Sequence, residues 1–201
     1  MTTVPKTEQT NVTTPATIPL NVPATQVSSF DVGFLPIPIE QEKTLHTRFG
    51  VQTSPDTFHG IMYFTIPKAH EKKVLKLIPR EYRHLFSVLW MEINYSYIPP
   101  HTDSDILTVI NIYIITDDAV TTFYFPNATA KSVQIENQTN GCIYNVNDLF
   151  PCAQFKAQSG EAWVLDVTTP HSVKTSGETT RCAYCIQTSK MDYHDVVKIL
   201  T

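Results

Sequence analysis

Val109-Ile110-Asn111-Ile112-Tyr113-Ile114-Ile115 is the run that decides the fold. β-Branched and aromatic side chains dominate it, and these suit a pleated, packed surface. It predicts a strand over Ile106–Thr116. Working outward, Met91–Ile98 precedes it as a strand. Thr121–Phe125, Ser132–Glu136, Gly141–Asn145, a strand around Phe155, Glu161–Val167, His171–Thr175 and Arg181–Thr188 follow, separated by turn-forming Asn, Thr and Asp clusters. Upstream, Phe34–Ile39 and Gly60–Ile66 also read as strands, the first at an edge because its prolines lack donors. Ile39–Phe49 is expected as a short helix or loop. Lys68–Trp90 is expected to be helical with a break near Pro79, and Asp192–Leu200 to close the chain as a short helix. Many short strands at roughly 8–12-residue spacing, without alternating helices, predict a mainly β fold with flanking helices. The architecture expected is a closed or double-sheet one of jelly-roll or cupin-like type.

With 201 residues the chain suits one domain around a single core. Residues 1–28, rich in Thr, Pro, Val and Asn and without an aromatic, bury too little apolar surface to offset their ordering entropy. They are expected to form a flexible or extended arm, with residues 29–201 as the β domain. No apolar run approaches the roughly 20 residues of a membrane-spanning helix. The N-terminus has no charged and apolar leader pattern, so a cytoplasmic protein is expected. The net charge of −4 gives no global attraction to nucleic acid or anionic membrane. Lys68, Lys72, Lys73, Lys76, Arg80 and Arg83 cluster in the helical region, where a solvated helix face and a cationic rim for an anionic partner both fit. Cys182-Ala183-Tyr184-Cys185 lies in a predicted strand. Positions three apart face opposite sides there, so the two thiols read as buried small hydrophobes rather than metal ligands.

Tyr97-Ile98-Pro99-Pro100-His101-Thr102-Asp103 carries the chemistry together with Thr169-Pro170-His171-Ser172-Val173 and Arg181. His101 and Asp103 are two apart, so an extended chain projects them to one side. Two imidazoles and one carboxylate on one face of a metal, with positions left open, suit non-haem Fe(II) oxygen chemistry. The same donors also accept Mn, Co, Ni or Zn, since affinity alone does not select iron. Arg181, a planar fork about one strand after His171, suits a carboxylate held bidentately.

This order, His-x-Asp, then His171-Ser172-Val173, then Arg181, resembles the Fe(II)- and 2-oxoglutarate-dependent dioxygenases. The prolyl-hydroxylase-like branch, with its small phage and bacterial members, is the most similar, over roughly Ile93 to Thr188. The resemblance implies a double-stranded β-helix with His101, Asp103 and His171 as iron ligands and Arg181 on the distal carboxylate of 2-oxoglutarate. It also implies O2 as co-substrate, ascorbate as a supporting reductant, and succinate and CO2 as products of a hydroxylation. Tyr113 and Asn111, two apart on the central strand, and Tyr97, at His101 parity, are the expected further co-substrate contacts. For the tyrosines a packed core position with a satisfied hydroxyl fits equally well, and Trp163 reads as core. A protein side chain is the favoured substrate by analogy, with a nucleobase or small metabolite next. The rival readings are a β-helix binding or structural module with a vestigial site, and a cupin of another reaction class.

Overall fold

The computed structural model describes residues 23–29, 44–54, 57–103, 105–135, 141–176 and 179–201. The strands are β1 (Ala24–Ser29), β2 (Thr44–Ser54), β3 (Thr57–Phe64), β4 (Ser87–Ile93), β5 (Tyr97–Thr102), β6 (Thr108–Ile115) and β7 (Val120–Pro126). They continue as β8 (Ser132–Gln134), β9 (Cys142–Tyr144), β10 (Leu149–Lys156), β11 (Glu161–Asp166), β12 (His171–Lys174) and β13 (Arg181–Thr188). Helix α1 spans Lys68–Val74 and α2 spans Tyr193–Leu200.

A major sheet has the order β1-β11-β6-β13-β4-β3-β2, and a minor sheet the order β10-β7-β12-β5-β9-β8. All pairings are antiparallel. β4 pairs with β13, β5 with β12, β6 with β11 and β7 with β10. Two runs of four strands are thus wound together, each run alternating between the sheets until β7 and β10 share one. That is a double-stranded β-helix, and the expected fold class is met.

Two apolar layers follow from strand parity. Ile110, Ile112 and Ile114 of β6 and Cys182, Tyr184 and Ile186 of β13 face outward, where they pack with Val74 of α1 and Val196 of α2. Val109 and Tyr113 of β6 and Ala183 and Cys185 of β13 face inward, toward Phe123 and Val173 of the minor sheet. β6 is therefore covered on both faces, which is why its sequence is a continuous apolar run. Cys182 and Cys185 fall in different layers, as strand parity requires. Trp90 packs edge-on against Tyr184 at 5.2 Å and donates its ring N–H to Glu92 Oε1 at 2.7 Å. Asp117 and Asp118 both adopt positive φ, 47° and 51°, in the tight turn from β6 to β7, closed by Ala119 N–H donating to Thr116 O at 2.9 Å. Both left-handed residues match the twist of the flanking strands.

Three expectations change. The arm boundary at residue 28 does not hold in its last part: Ala24–Ser29 forms an edge strand on β11, with Asp166 N–H donating to Pro23 O at 2.9 Å. Ser87–Trp90 is strand rather than helix. Val88 and Trp90 go to the outer layer and Leu89 and Met91 to the inner one, a period-2 pattern that a helix cannot present. Pro79 ends the helical region before it, leaving α1 and two short 3-10 turns at Leu75–Leu77 and Arg83–Leu85. Thr44–Phe49 belongs to β2 and is neither helix nor loop. The Phe34–Ile39 strand and residues 1–22 of the arm lie outside the described residues. Among the described residues no helix is long and apolar enough to cross a membrane.

The outer layer makes stability sensitive to alkali. Burial, with a smaller contribution from the Glu92 carboxylate, pushes the Cys182 thiol up to about 12 from 9.0. Burial alone pushes the Tyr184 hydroxyl up to about 12 from 10.0. Above pH 9 the unfolded chain releases these protons while the folded chain keeps them, so stability falls as pH rises. The contribution is complete below pH 9 and is lost progressively up to about 12. Urea midpoints measured at pH 8, 9.5 and 11 should decline in that order. Cys182→Ala should flatten the first step, where the tyrosine does not yet titrate.

Candidate metal centre

His101 on β5 and His171 on β12 are direct cross-strand partners. Opposed residues of an antiparallel pair project to the same face, and the two rings lie 4.4 Å apart between centroids. Asp103, just past the end of β5, is held by its backbone N–H donating to Val167 O at 3.0 Å. Its Oδ1 is 3.7 Å from His101 Nε2. The ligand atoms of His101, Asp103 and His171 all lie within 4.8 Å of one another.

The histidine tautomers follow from backbone acceptors. His101 Nδ1 is 2.7 Å from Pro99 O, and His171 Nδ1 is 3.0 Å from Thr169 O. A carbonyl oxygen only accepts, so each Nδ1 carries a proton and each Nε2 is the ring nitrogen left to face the centre. Such outer hydrogen bonds are what fix imidazole ligands for a metal. The loop that aims His171 is ordered by Asp166. Its Oδ1 accepts from Thr168 N–H at 3.1 Å and from Thr168 Oγ1 at 2.6 Å, and its Oδ2 accepts from Thr169 Oγ1 at 3.0 Å. This Asx-type turn presents the Thr169 carbonyl to the ring. Two imidazoles and a carboxylate, pre-oriented and mostly buried, fit a divalent ion.

These residues line a cavity of about 210 Å³ between the sheets. Its walls are mainly apolar, with Asn111, Tyr113, Thr121, Arg181 and Gln187 as further polar groups. Arg181 is 1% exposed. Its two terminal nitrogens reach Thr121 Oγ1 at 3.3 and 3.4 Å, and its guanidinium lies 4.5 Å from the centroid of the Tyr113 ring. Its Nε has no hydrogen-bond partner, and no carboxylate pairs with it among the described residues. Thr121 is two residues from Phe123, which is directly opposite His171. The guanidinium contact is thus about 7 Å along the same sheet face from the histidine row.

Asn111 Nδ2 donates to Tyr113 Oη at 3.3 Å, while Asn111 Oδ1 is buried without a partner. Both expected residues therefore stand in the cavity. Tyr97 does not. The β5–β12 register shifts between His101 and Ile98, so one extra residue sits at Pro99–Pro100. A bulge of that kind reverses parity. Ile98 consequently turns into the inner layer, and Tyr97 is left 39% exposed and away from the cavity. Burial, then the neighbouring Tyr124, raises the Tyr97 hydroxyl pKa. Trp163 is stacked on Phe155 at 4.1 Å beside the inner layer rather than lining the cavity. Sequence reasoning missed Thr121, Cys185 and Gln187. The latter two share parity with Arg181 along β13, so the period-2 rule was the available signal.

No protein-family model matches the chain, and no curated protein sequence matches it. Among solved structures it resembles vicilin from Corylus avellana (hazelnut), with a TM-score of 0.37 and 10% identity over 64% of this chain and 28% of that one. It also resembles vicilin from Solanum melongena, at TM-score 0.36 and 12% identity over 75% and 30%. L-ribose isomerase from Cellulomonas parahominis matches at TM-score 0.32 and 10% identity over 65% and 61%. The chain spans less than two thirds of each of these proteins. Its own strand pairing and side chains define it as a double-stranded β-helix protein with a buried two-histidine, one-carboxylate group able to hold a metal ion.

Cobalt(II) titration, followed by visible absorbance, should show one ion per chain. Asp103→Ala should weaken binding by more than the roughly 10–100-fold typical of losing an outer-shell partner. Asp166→Ala should weaken it by less, through the His171 loop. Affinity should fall on acidification, since the imidazoles must be neutral to bind.

Proposed function

We propose that the protein is an Fe(II)- and 2-oxoglutarate-dependent dioxygenase that hydroxylates its substrate. The supporting observation is Arg181, a permanently charged group buried in the cavity of the metal donors, with no carboxylate paired to it among the described residues and its Nε unsatisfied. Breaking a buried ion pair typically costs roughly 3–5 kcal/mol because a charge is left uncompensated. Arginine cannot escape that cost by losing its proton. A ligand carboxylate would supply the missing partner.

His101, Asp103 and His171 would hold the iron. When bound, Fe(II) supplies dioxygen activation coupled to oxidative decarboxylation of the oxo acid, giving succinate, CO2 and a hydroxylated substrate. A divalent ion, the Asp103 carboxylate and the Arg181 guanidinium together leave two positive charges, which a dicarboxylate cancels. Arg181 would take the far carboxylate on its fork, oriented by Thr121 Oγ1 and by the Tyr113 ring beneath it. Tyr113 gives its hydroxyl oxygen to the Asn111 amide, so its own proton remains available to a ligand oxygen. The apolar remainder of the cavity excludes water, which strengthens these contacts.

Iron-loaded protein with 2-oxoglutarate, ascorbate and air should form succinate, even without a primary substrate. Asp103→Ala should abolish it. Arg181→Lys keeps the charge but loses the fork, and should raise the KM for 2-oxoglutarate at least about tenfold with a smaller effect on kcat. No succinate from the iron-loaded wild type would reject the oxygenase reading in favour of an inactive β-helix binding module.

A further inference from the structure

The cavity wall changes character along β13. Its inward positions are Arg181, Ala183, Cys185 and Gln187, so the guanidinium and the Gln187 carboxamide are six residues, or about 20 Å, apart along the strand. Gln187 is directly opposite Val109, and Val109 opposite Leu165. Ile106 and Val167 complete that end of the lining, and its one carboxylate is Asp103 of the metal group, whose backbone N–H donates to Val167 O. The carboxamide makes no side-chain hydrogen bond among the described residues. Val133 of β8 is opposite Ile143 of β9, and Ile143 is opposite His101, so all three project from one face. Val133 is largely exposed at the end of that row.

We propose that Gln187 is a specificity-determining residue for the primary substrate. The group it admits is uncharged and largely apolar, with a single hydrogen-bonding atom near the carbon to be oxidised. This rests on reading Arg181 as the co-substrate end of the cavity. A charged group brought against Val109 and Leu165 would lose its hydration, and Asp103, the carboxylate of the lining, would be taken up by the metal. A carboxamide both donates and accepts, so it matches a neutral amide or hydroxyl. Few polar groups on an apolar wall are how such pockets fix orientation.

The test is binding rather than turnover, so it does not depend on iron chemistry. The capped tripeptides acetyl-Ala-Leu-Ala-amide, acetyl-Ala-Pro-Ala-amide, acetyl-Ala-Lys-Ala-amide and acetyl-Ala-Glu-Ala-amide, with thymidine 5′-monophosphate, would be titrated into the full chain and Kd values read by NMR shifts. Wild type should bind the Leu or Pro peptide at least about tenfold more tightly than the Lys peptide. Gln187→Glu should cut that ratio by about tenfold or invert it. The ratio is taken on one preparation, so a partly unfolded variant does not distort it. Tighter binding of a charged peptide or of the nucleotide, binding of none of the probes, or an unchanged ratio in Gln187→Glu would overturn the inference. The succinate assay independently decides the reading on which it rests.

Discussion

A guanidinium enclosed by two sheets has to be balanced, and the rest of the cavity is arranged around that requirement. Arg181 sits at the start of β13, its terminal nitrogens on Thr121 and its plane over Tyr113. Neither contact carries a negative charge. The Asp103 carboxylate, mostly buried, lies 3.7 Å from His101 Nε2 and within ligand distance of His171. A divalent ion held by these three groups and an anion on the guanidinium would be complementary in charge.

The winding of the fold explains how residues so far apart in sequence meet. Pairing β5 with β12 sets His101 opposite His171, while pairing β13 between β4 and β6 sets Arg181 in the facing sheet. The metal donors therefore come from the minor sheet and the strand ends beside it, and the cation comes from the major sheet. A ligand held between them bridges the two layers. The minor sheet's inward row, Val133–Ile143–His101–His171–Phe123–Ala153, runs through all six strands with the two ligands at its centre. Register, more than any one side chain, fixes the site.

Much of this was legible from period-2 patterning. The apolar run of β6, the opposed thiols of β13 and the shared face of Asn111 and Tyr113 all follow from regular strand geometry. The errors have identifiable causes. Counting parity back from His101 puts Tyr97 on the inner face, and the count fails because neither Pro99 nor Pro100 has an N–H to give the ladder and one extra residue is bulged out between Ile98 and His101. Ser87–Trp90 reads as helix from sequence because Val, Leu and Trp fit either period over four residues, and only pairing with β3 and β13 decides the matter. The edge strand at Ala24–Ser29 has a loop-like composition. Its order comes from β11 and from Thr25 Oγ1 bonding the Tyr193 hydroxyl, neither of which is a local signal.

The local rules fail in a spatial pattern. Arg181 Nε and Asn111 Oδ1 are two of the three buried side-chain polar atoms without a partner among the described residues, and both are in the metal cavity. The bulge that exposes Tyr97 also frees the Pro99 carbonyl to hold His101. Register shifts also occur elsewhere, in β1–β11, β10–β7 and β2–β3, so it is the unsatisfied polar atoms rather than the bulges that single out the cavity. Among the described residues, the Asn111 amide oxygen and the Arg181 Nε are left open toward the cavity, one an acceptor and one a donor. The carboxylate of an oxo acid has no donor to give that amide. Asn111 must therefore either turn its amide so that Nδ2 meets the carboxylate and Oδ1 accepts from Tyr113, or meet a donor on the primary substrate. Its place on β6, directly opposite Cys185 and two residues from each of Tyr113 and Val109, sets it between the Arg181 and Gln187 ends of the cavity.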